Sequence, residues 1–160
     1  MRLATIMAAG VLLLAACTPQ TGSGSTPPTA GGMDVTVSHT SAGDALAGAD
    51  GMTLYIFKAD TAGKSTCYDA CAEKWPAFLG DGSDVNAGAG ISGEFGTTTR
   101  TDGSKQVTHG GHPLYYFADD AAACDAKGQG FGGVWFIAPV DEASASPGDQ
   151  PSGSSGDLPY

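Results

Sequence analysis

Three cysteines and two histidines are the side chains of this sequence best suited to redox or metal chemistry. Cys67 and Cys71 are separated by three residues, Cys124 lies further on, and His109 and His112 flank a Gly-Gly pair. Imidazole and thiolate groups together could bind copper or zinc. The spacing matches no standard zinc site, and the three-residue spacer differs from the C-x-x-C of redox pairs and the C-x-x-C-H of haem attachment. We therefore expect no bound cofactor, with His109 and His112 as the remaining candidate metal ligands.

The spacing of the three cysteines alone leaves their disulfide pairing open. If Cys67 and Cys71 lie on one helix, their Cα atoms are about 6 Å apart, within the range that a disulfide can bridge. A bridge from either of them to Cys124 would instead clamp two distant parts of the chain together. Because the export leader described below implies an oxidising compartment, we expect at least one disulfide.

Sequence motifs of the common enzyme classes are missing. The chain contains no G-x-S-x-G, P-loop or H-E-x-x-H pattern. The glycines of GQGFGG, at residues 128–133, lack the strand and helix that a phosphate-binding loop needs and are explained by a tight turn. No candidate nucleophile has a companion base, so the sequence predicts a protein that is not an enzyme.

An internal duplication organises the chain. Residues 51–60 and 111–120 both read G-x-x-L-Y-x-F-x-x-D, with five identities in ten positions, and Trp75 and Trp135 keep the same offset of sixty residues. In each copy the Tyr and Phe lie two apart, so a strand would place them on one face and the residues between them on the other. The repeat-motif residues are Tyr55, Phe57, Asp60, Tyr115, Phe117 and Asp120.

These paired segments resemble a bacterial family of lipoproteins described as a secreted repeat of unknown function, which carries a Y-x-[FWY]-x-x-D motif. The continuations TCYDACAEKWP and GQGFGGVWF also fit that family. The usual C-x-x-x-C of the family implies a Cys67–Cys71 disulfide, whereas Cys124 departs from its pattern. The resemblance covers residues 34–140 and implies little about mechanism, since the activity of the family is unsettled.

Two interpretations of the repeated motif follow from the residue types. In the first, Tyr and Phe pack on one side of a strand and Asp ends the strand by accepting backbone N–H bonds in a type I turn. In the second, the Tyr hydroxyls and Asp carboxylates serve as ligands or hydrogen-bond partners in a shared cleft. The orientation of the Tyr55 and Tyr115 hydroxyls would separate the two.

The start of the chain predicts export and a lipid anchor. Residues 1–16 have a short charged beginning and an apolar run too short to cross a bilayer, as in a signal peptide. The run ends in Leu-Ala-Ala-Cys, which resembles a lipobox with Cys17 as the lipidated residue. Several acyl chains on one residue anchor a protein stably, so we expect the membrane as a partner. The residue after Cys17 is Thr18, consistent with the outer membrane if the cell has two membranes.

The remaining organisation is a folded part between two polar segments. Residues 17–33 form a linker rich in Thr, Ser, Gly and Pro, and residues 141–160 form an acidic tail that we expect to be disordered. Residues 34–140 are long enough for a single domain of two repeats, at about 34–80 and 94–140. Short alternating runs and turn signals predict a mainly β, antiparallel domain with one short helix near residues 66–75. We expect Ser65 or Thr66 to cap that helix, residues 80–93 to form a loop, and the Asp102–Gly103 pair to form a hairpin turn.

Charge and composition limit the partners. Seven Lys and Arg residues against seventeen Asp and Glu residues give a formal net charge of −10. Such a surface repels phosphate groups, which makes nucleic acid an improbable partner. We therefore expect a membrane-anchored lipoprotein of the cell envelope with a non-enzymatic structural or binding role, for an unknown protein or small ligand. The alternative is an envelope module that handles electrons or copper through its Cys and His residues.

Overall fold

The computed structural model describes residues 33–61, 63–82 and 84–141. The predicted leader, Cys17, nearly all of the predicted linker and the tail fall in residues 1–32 and 142–160, outside the described part. The described elements, in chain order, are β1 Met33–Thr40, β2 Gly43–Gly48, β3 Tyr55–Phe57, α1 Ala70–Lys74, β4 Leu79–Gly80, β5 Val85–Ala87, β6 Phe95–Thr99, β7 Lys105–His109, β8 His112–Pro113, a 3-10 turn Phe131–Gly133 and β9 Trp135–Ile137. The predicted mainly β class with one short α-helix is confirmed.

Each repeat begins with an antiparallel hairpin. β1 pairs with β2 in the first repeat and β6 pairs with β7 in the second. The turn between β6 and β7 contains the Asp102–Gly103 pair, as the turn chemistry predicts. The carboxylate of Asp102 accepts hydrogen bonds from the backbone N–H and hydroxyl of Ser104. The second hairpin also pairs with β4 and β8 along β7.

The two repeats exchange strands at their centre. β3 of the first repeat pairs antiparallel with β9 of the second. The equivalent contact joins Ala77 of the first repeat to Tyr115 of the second. Between these contacts, Tyr55 and Tyr115 exchange both backbone N–H···O bonds, at 2.8 and 3.0 Å. The repeats are therefore related by an approximate two-fold axis, and neither half completes its own central sheet.

Alternation along β3 divides the motif between two cores. Leu54 and Ile56 enter an aliphatic cluster with residues of both hairpins, including Leu46 and Val107. Tyr55 and its neighbour Phe57 point to the opposite side, into an aromatic cluster. The aromatic cluster comprises Tyr55, Cys67, Trp75, Tyr115, Phe117 and Trp135, with Phe57, Cys71, Ala77 and Ile137 at its edge.

Two elements differ from the expectation. The helix begins at Ala70 rather than near residue 66, and Asp69 precedes it without a side-chain capping bond. The predicted cap residues Ser65 and Thr66 are used in other hydrogen bonds, described below, so they do not cap a helix. Residues 80–93, predicted to be a loop, contribute β5, which lies parallel to β1. Short strands of small and polar residues carry little periodicity, which is why β5 was missed.

Candidate functional site

The motif of each repeat is completed by the other repeat. The Tyr55 hydroxyl donates to Asp120 Oδ2 at 2.6 Å, and the Tyr115 hydroxyl donates to Asp60 Oδ2 at 2.5 Å. Both tyrosines are fully buried. The strand exchange makes this pairing possible, because it places the Tyr of one copy beside the turn that follows the motif of the other.

The Asp120 site is defined here as Tyr55, Asp120, Lys127 and Gly128. Asp120 is buried, and its second oxygen, Oδ1, accepts the backbone N–H of Lys127 at 3.0 Å. The Tyr55 oxygen accepts the backbone N–H of Gly128 at 3.3 Å. A Cβ at Gly128 would lie 2.7 Å from a Trp75 ring atom and 2.8 Å from a Tyr55 ring atom. Only glycine lets the backbone approach this closely.

The Asp60 site is defined here as Asp60, Ser65, Thr66, Arg100 and Tyr115. Asp60 is partly exposed. Its Oδ1 accepts both the backbone N–H and the hydroxyl of Thr66, each at 2.7 Å. The donors lie six residues after Asp60, because the chain curves back toward the carboxylate.

A chain of hydrogen bonds joins a buried cation to Asp60. Arg100 Nη1 lies 2.9 Å from Ser65 Oγ, and Ser65 Oγ lies 2.8 Å from the Tyr115 hydroxyl oxygen. Tyr115 has one proton, which it donates to the acceptor-only carboxylate of Asp60, so Ser65 must donate to Tyr115 and accept from Arg100. Arg100 also donates to Gln106 Oε1 at 2.6 Å and to the Cys67 carbonyl at 2.8 Å. This arrangement meets the usual requirement that a buried charge be paired or hydrogen-bonded.

The environment of both tyrosines keeps their hydroxyls protonated. Burial, reinforced by the hydrogen bond to Asp120, raises the pKa of Tyr55 well above its ordinary value. Burial and the hydrogen bond to Asp60 raise the pKa of Tyr115 in the same way. Each Tyr is thus a hydrogen-bond donor and a poor nucleophile or base at neutral pH, because it holds its proton firmly.

A stack of four aromatic rings lies between the two sites. The Trp75 and Trp135 rings are parallel, with centroids 3.8 Å apart. Phe57 stacks on the outer face of Trp135 at 4.2 Å, and Phe117 lies on Trp75 at 4.3 Å. Tyr55 meets Trp75 edge-on, and Tyr115 meets Trp135 in the same way. Edge-on and offset ring contacts add to the energy gained from burial, so this stack binds the repeats to each other.

The cysteines form one bridge within the first repeat. Cys67 and Cys71 are disulfide-bonded, with their Cα atoms 5.2 Å apart. This is the pair that the family resemblance implied, and the alternative of a bridge from either of them to Cys124 is wrong. Cys124 lies elsewhere, with its backbone N–H directed at the Gly51 carbonyl at 3.4 Å. It is therefore near the turn before the first motif and not at the bridge.

The histidines do not come together with the cysteines. His109 is buried, stacks near Phe95, and contacts the Ser92 carbonyl through Nε2 at 3.0 Å. His112 is partly exposed and pairs with His109 through the backbone. Across residues 33–61, 63–82 and 84–141, no group of three or more His, Cys, Asp or Glu side chains could hold a metal ion.

Arg100 and its partners are the functional-site candidates that the sequence did not reveal. Arg100 follows a run of threonines, a setting typical of an exposed hairpin, yet its side chain is buried. The guanidinium also lies over the Tyr68 ring, 4.5 Å from the centroid. Gln106 occupies the adjacent strand and donates to the Leu114 carbonyl at 2.8 Å. Apart from Val107, β7 consists of polar residues, a composition that fits a solvent-exposed strand, so it gave no signal for this burial.

Comparison with known proteins identifies the repeats. The family model described as a secreted repeat of unknown function matches residues 36–78 and 96–138. The two matches cover more than half of the chain, which therefore belongs to this family of exported proteins and carries two tandem copies of its repeat. Neither a curated protein nor a solved structure matches the chain. Within the described residues, no helix has the length and apolar character needed to cross a membrane.

Proposed function

We propose that this protein is a lipid-anchored lipoprotein of the cell envelope whose folded part has a non-enzymatic structural or binding role. Membership of a secreted family supports export. The Leu-Ala-Ala-Cys sequence supports lipidation of Cys17, and the polar residues after it would let the folded part stand clear of the membrane. Thr18 after the lipidated residue favours the outer membrane where two membranes exist.

The reciprocal Tyr–Asp bonding is the observation that carries the non-enzymatic role. Both motif tyrosines are buried and donate to the carboxylate of the other repeat. A catalytic base or nucleophile needs a free lone pair directed at a substrate. Tyr55 and Tyr115 are instead engaged in holding the repeats together. Their rings pack as the first interpretation expects, and their hydroxyls bond the motif Asp carboxylates, a pairing that the second interpretation included.

Lipid anchoring is tested by metabolic labelling of the full chain. Cells that express the protein are fed radiolabelled palmitate, and the protein is followed into the membrane fraction. We expect the wild type to be labelled and membrane-bound, and Cys17→Ser to be unlabelled and released. Thr21→Ser, which lies after the lipobox and leaves its sequence intact, is the control and should behave as wild type. An unlabelled wild-type protein, or a Cys17→Ser variant that stays in the membrane, would reject the anchor.

The absence of catalysis is tested through the motif carboxylates. The full chain is screened for hydrolase activity with and without Asp60→Asn and Asp120→Asn, and folding is checked by circular dichroism. We expect no turnover that depends on either residue. Activity that either variant loses while it stays folded would contradict the proposal, because it would assign the carboxylate a chemical step.

A redox role is the second candidate, and the Cys67–Cys71 bridge is the observation that favours it. In a second form of this candidate, the protein binds copper, with His109 and His112 as the candidate ligands. Elemental analysis of the purified chain after exposure to copper tests it directly. Stoichiometric copper that is lost in His109→Ala or His112→Ala would support this second form, and substoichiometric copper in the wild type would reject it.

A further inference from the structure

The Cys67–Cys71 disulfide lies in the segment that follows the motif of the first repeat. Just before it, the Thr66 N–H donates to Asp60. In the second repeat, the Lys127 N–H donates to Asp120. A backbone donor therefore holds this segment against the motif carboxylate in both repeats, and in the first repeat the bridge follows directly after that donor.

Backbone strain is present inside the loop that the bridge closes. Asp69, between the two cysteines, has φ 51° and ψ −128°. The Cys71 N–H donates to the Tyr68 carbonyl at 3.0 Å, so Asp69 occupies a tight turn at a position that glycine normally takes. Within the described part of the chain, Asp69 and Cys124 are the non-glycine residues with positive φ. Such a conformation costs on the order of 1–3 kcal/mol and persists where the surroundings enforce it.

The two cysteines of the bridge differ in their exposure to solvent. Cys67 is fully buried in the aromatic cluster, whereas Cys71 is partly exposed. An attacking thiolate can therefore approach Cys71 more easily than Cys67. The Arg100 guanidinium donates to the Cys67 carbonyl, so a positive charge lies beside the residue that would leave. Attack at the more exposed sulfur of Cys71 makes Cys67 the leaving group.

We propose that the Cys67–Cys71 bridge is a thiol–disulfide exchange site whose reaction partner is an exported dithiol. One thiolate of the dithiol attacks Sγ of Cys71, forming a mixed disulfide and breaking the Cys67–Cys71 bond. Cys67 leaves as a thiolate and takes up a proton. The second thiol of the partner, as a thiolate, then attacks the partner sulfur of the mixed disulfide, and Cys71 leaves and is protonated. Two electrons pass from the dithiol to the bridge, and the partner ends as a disulfide.

Opening the bridge acts on the Asp60 site. The bonds from Ser65 and Thr66 to the buried network lie immediately before Cys67, and α1 follows Asp69. Reduction lets Asp69 leave its strained conformation and frees α1 from Cys67. The proposal does not depend on the lipid anchor, and a failure of the anchor would leave it unaffected.

Strain at the bridge is tested with two substitutions of one residue. The full chain is equilibrated with dithiothreitol, quenched by alkylation, and the state of Cys67 and Cys71 is found by peptide mass. Asp69→Gly relieves the strain and should make the bridge about fivefold harder to reduce at equilibrium. Asp69→Ala removes the carboxylate but keeps the strain, and should match the wild type. Equal reduction of all three chains, or an effect shared by the Ala and Gly variants, would overturn the role of strain.

The same titration asks whether the fold survives reduction. Tryptophan fluorescence and hydrogen exchange are followed alongside alkylation, with exchange read separately for the two repeats. We expect the bridge to open while the protein stays folded, with exchange rising in residues 63–75. Reduction that occurs only together with global unfolding would show that the bridge is a structural cross-link and would overturn the proposal.

The site of attack is tested with two variants that each lack one cysteine of the bridge. Cys67→Ser leaves the Cys71 thiol, and Cys71→Ser leaves the Cys67 thiol. With a small aromatic disulfide as the probe, and peptide mapping to assign the product, we expect Cys71 to react at least about tenfold faster than Cys67, following its greater exposure. A faster reaction at Cys67 would contradict the proposed order of attack. Both variants are checked by circular dichroism, and urea-unfolded samples of each give the reference rates.

Discussion

The Asp60 site and the Asp120 site contain the same Tyr–Asp pair in two different surroundings. At the Asp120 site the remaining hydrogen bonds come from backbone N–H groups of Lys127 and Gly128. At the Asp60 site a serine hydroxyl and a buried arginine take part, and the carboxylate is partly exposed. The bond across the repeats is thus the feature that both copies keep, and the partners around it are where they have diverged.

This difference shows which part of the repeat is structural. Backbone donors are available wherever the chain passes close by, and glycine at position 128 permits that approach. Side-chain donors such as Ser65 and Arg100 bring a charge and link the site to the disulfide segment. The Asp120 site therefore relies on backbone donors, while the Asp60 site belongs to a side-chain network that reaches the disulfide segment.

Removing the motif carboxylates should give the largest difference in the free energy of unfolding between the two sites. Asp120→Ala leaves the buried Tyr55 hydroxyl and the Lys127 N–H without an acceptor, and should lower the free energy of unfolding by about 3 kcal/mol. Asp60→Ala should cost about 2 kcal/mol, because water can reach the partly exposed position. Urea denaturation measures both. Equal losses, or a larger loss for Asp60→Ala, would mean that exposure does not distinguish the sites.

Substituting Arg100 tests the contribution of the buried cation, which belongs to the Asp60 site and has no counterpart among the residues of the Asp120 site. Arg100→Leu leaves Ser65, Gln106 and the Cys67 carbonyl without their donor, and we expect a loss of about 2.5 kcal/mol in the free energy of unfolding. Arg100→Lys keeps the charge but loses the forked geometry, and should lose about 1 kcal/mol. Denaturation of both variants provides the measurement. A leucine variant as stable as wild type would show that the buried charge is merely tolerated.

A methyl group at Gly128 tests the close approach within the Asp120 site. Gly128→Ala would drive the Cβ into rigid ring atoms of Trp75 and Tyr55, and should cost about 2 kcal/mol. Gly63, which has positive φ and open space around its Cβ position, is the control. Gly63→Ala should cost about 1 kcal/mol from backbone strain alone. Thermal unfolding compares the two, and a smaller effect at Gly128 would contradict the packing argument.

Alkaline pH should weaken the protein through both motif tyrosines. Their folded pKa values are raised, so between the unfolded value of about 10 and the folded value the unfolded chain loses protons that the folded chain keeps. Stability is therefore full below about pH 10 and falls as pH rises, by about 1.4 kcal/mol per pH unit for each tyrosine. Tyr55→Phe and Tyr115→Phe should each reduce that slope by about 1.4 kcal/mol per pH unit.

Urea denaturation at a series of pH values from 8 to 11 would measure the slope, with Tyr116→Phe as a comparison. Burial raises the pKa of Tyr116 to about 12, above this pH range, so Tyr116→Phe should reduce the slope to a similar extent. A slope that is unchanged in Tyr55→Phe would show that this hydroxyl does not retain its proton in the folded chain.

The features of the fold that could be predicted were those set by residues close together in the sequence, namely strand alternation and turn residues. The alternation Leu54, Tyr55, Ile56, Phe57 predicted two opposite faces, and the structure places these faces in separate cores. The second hairpin followed from its Asp-Gly turn. By contrast, the helix start was predicted several residues too early. Ser65 and Thr66 have the chemistry of capping residues, but Thr66 bonds to Asp60 and Ser65 bonds to Tyr115 of the other repeat.

The sequence predicted which residues form the candidate site but not which residues each of them contacts. The repeated motif singled out Tyr55, Asp60, Tyr115 and Asp120, and the family resemblance implied the Cys67–Cys71 pair. Nothing in the motif indicated that each Tyr would donate to the Asp of the other copy. The burial of Arg100 was equally hidden, since a cation is buried only when several distant acceptors converge on it.

The sequence by itself determined the duplication, the strand-rich class, the membership of a secreted family and the residues that repeat. The tertiary structure alone decided that the repeats interlock, that their tyrosines cross to the opposite carboxylates, and that one site holds a buried charge beside a strained disulfide loop. The physical reason is range: periodicity and turn chemistry act between neighbours along the chain, whereas hydrogen-bond partners about sixty residues apart are chosen only when the two hydrophobic faces pack.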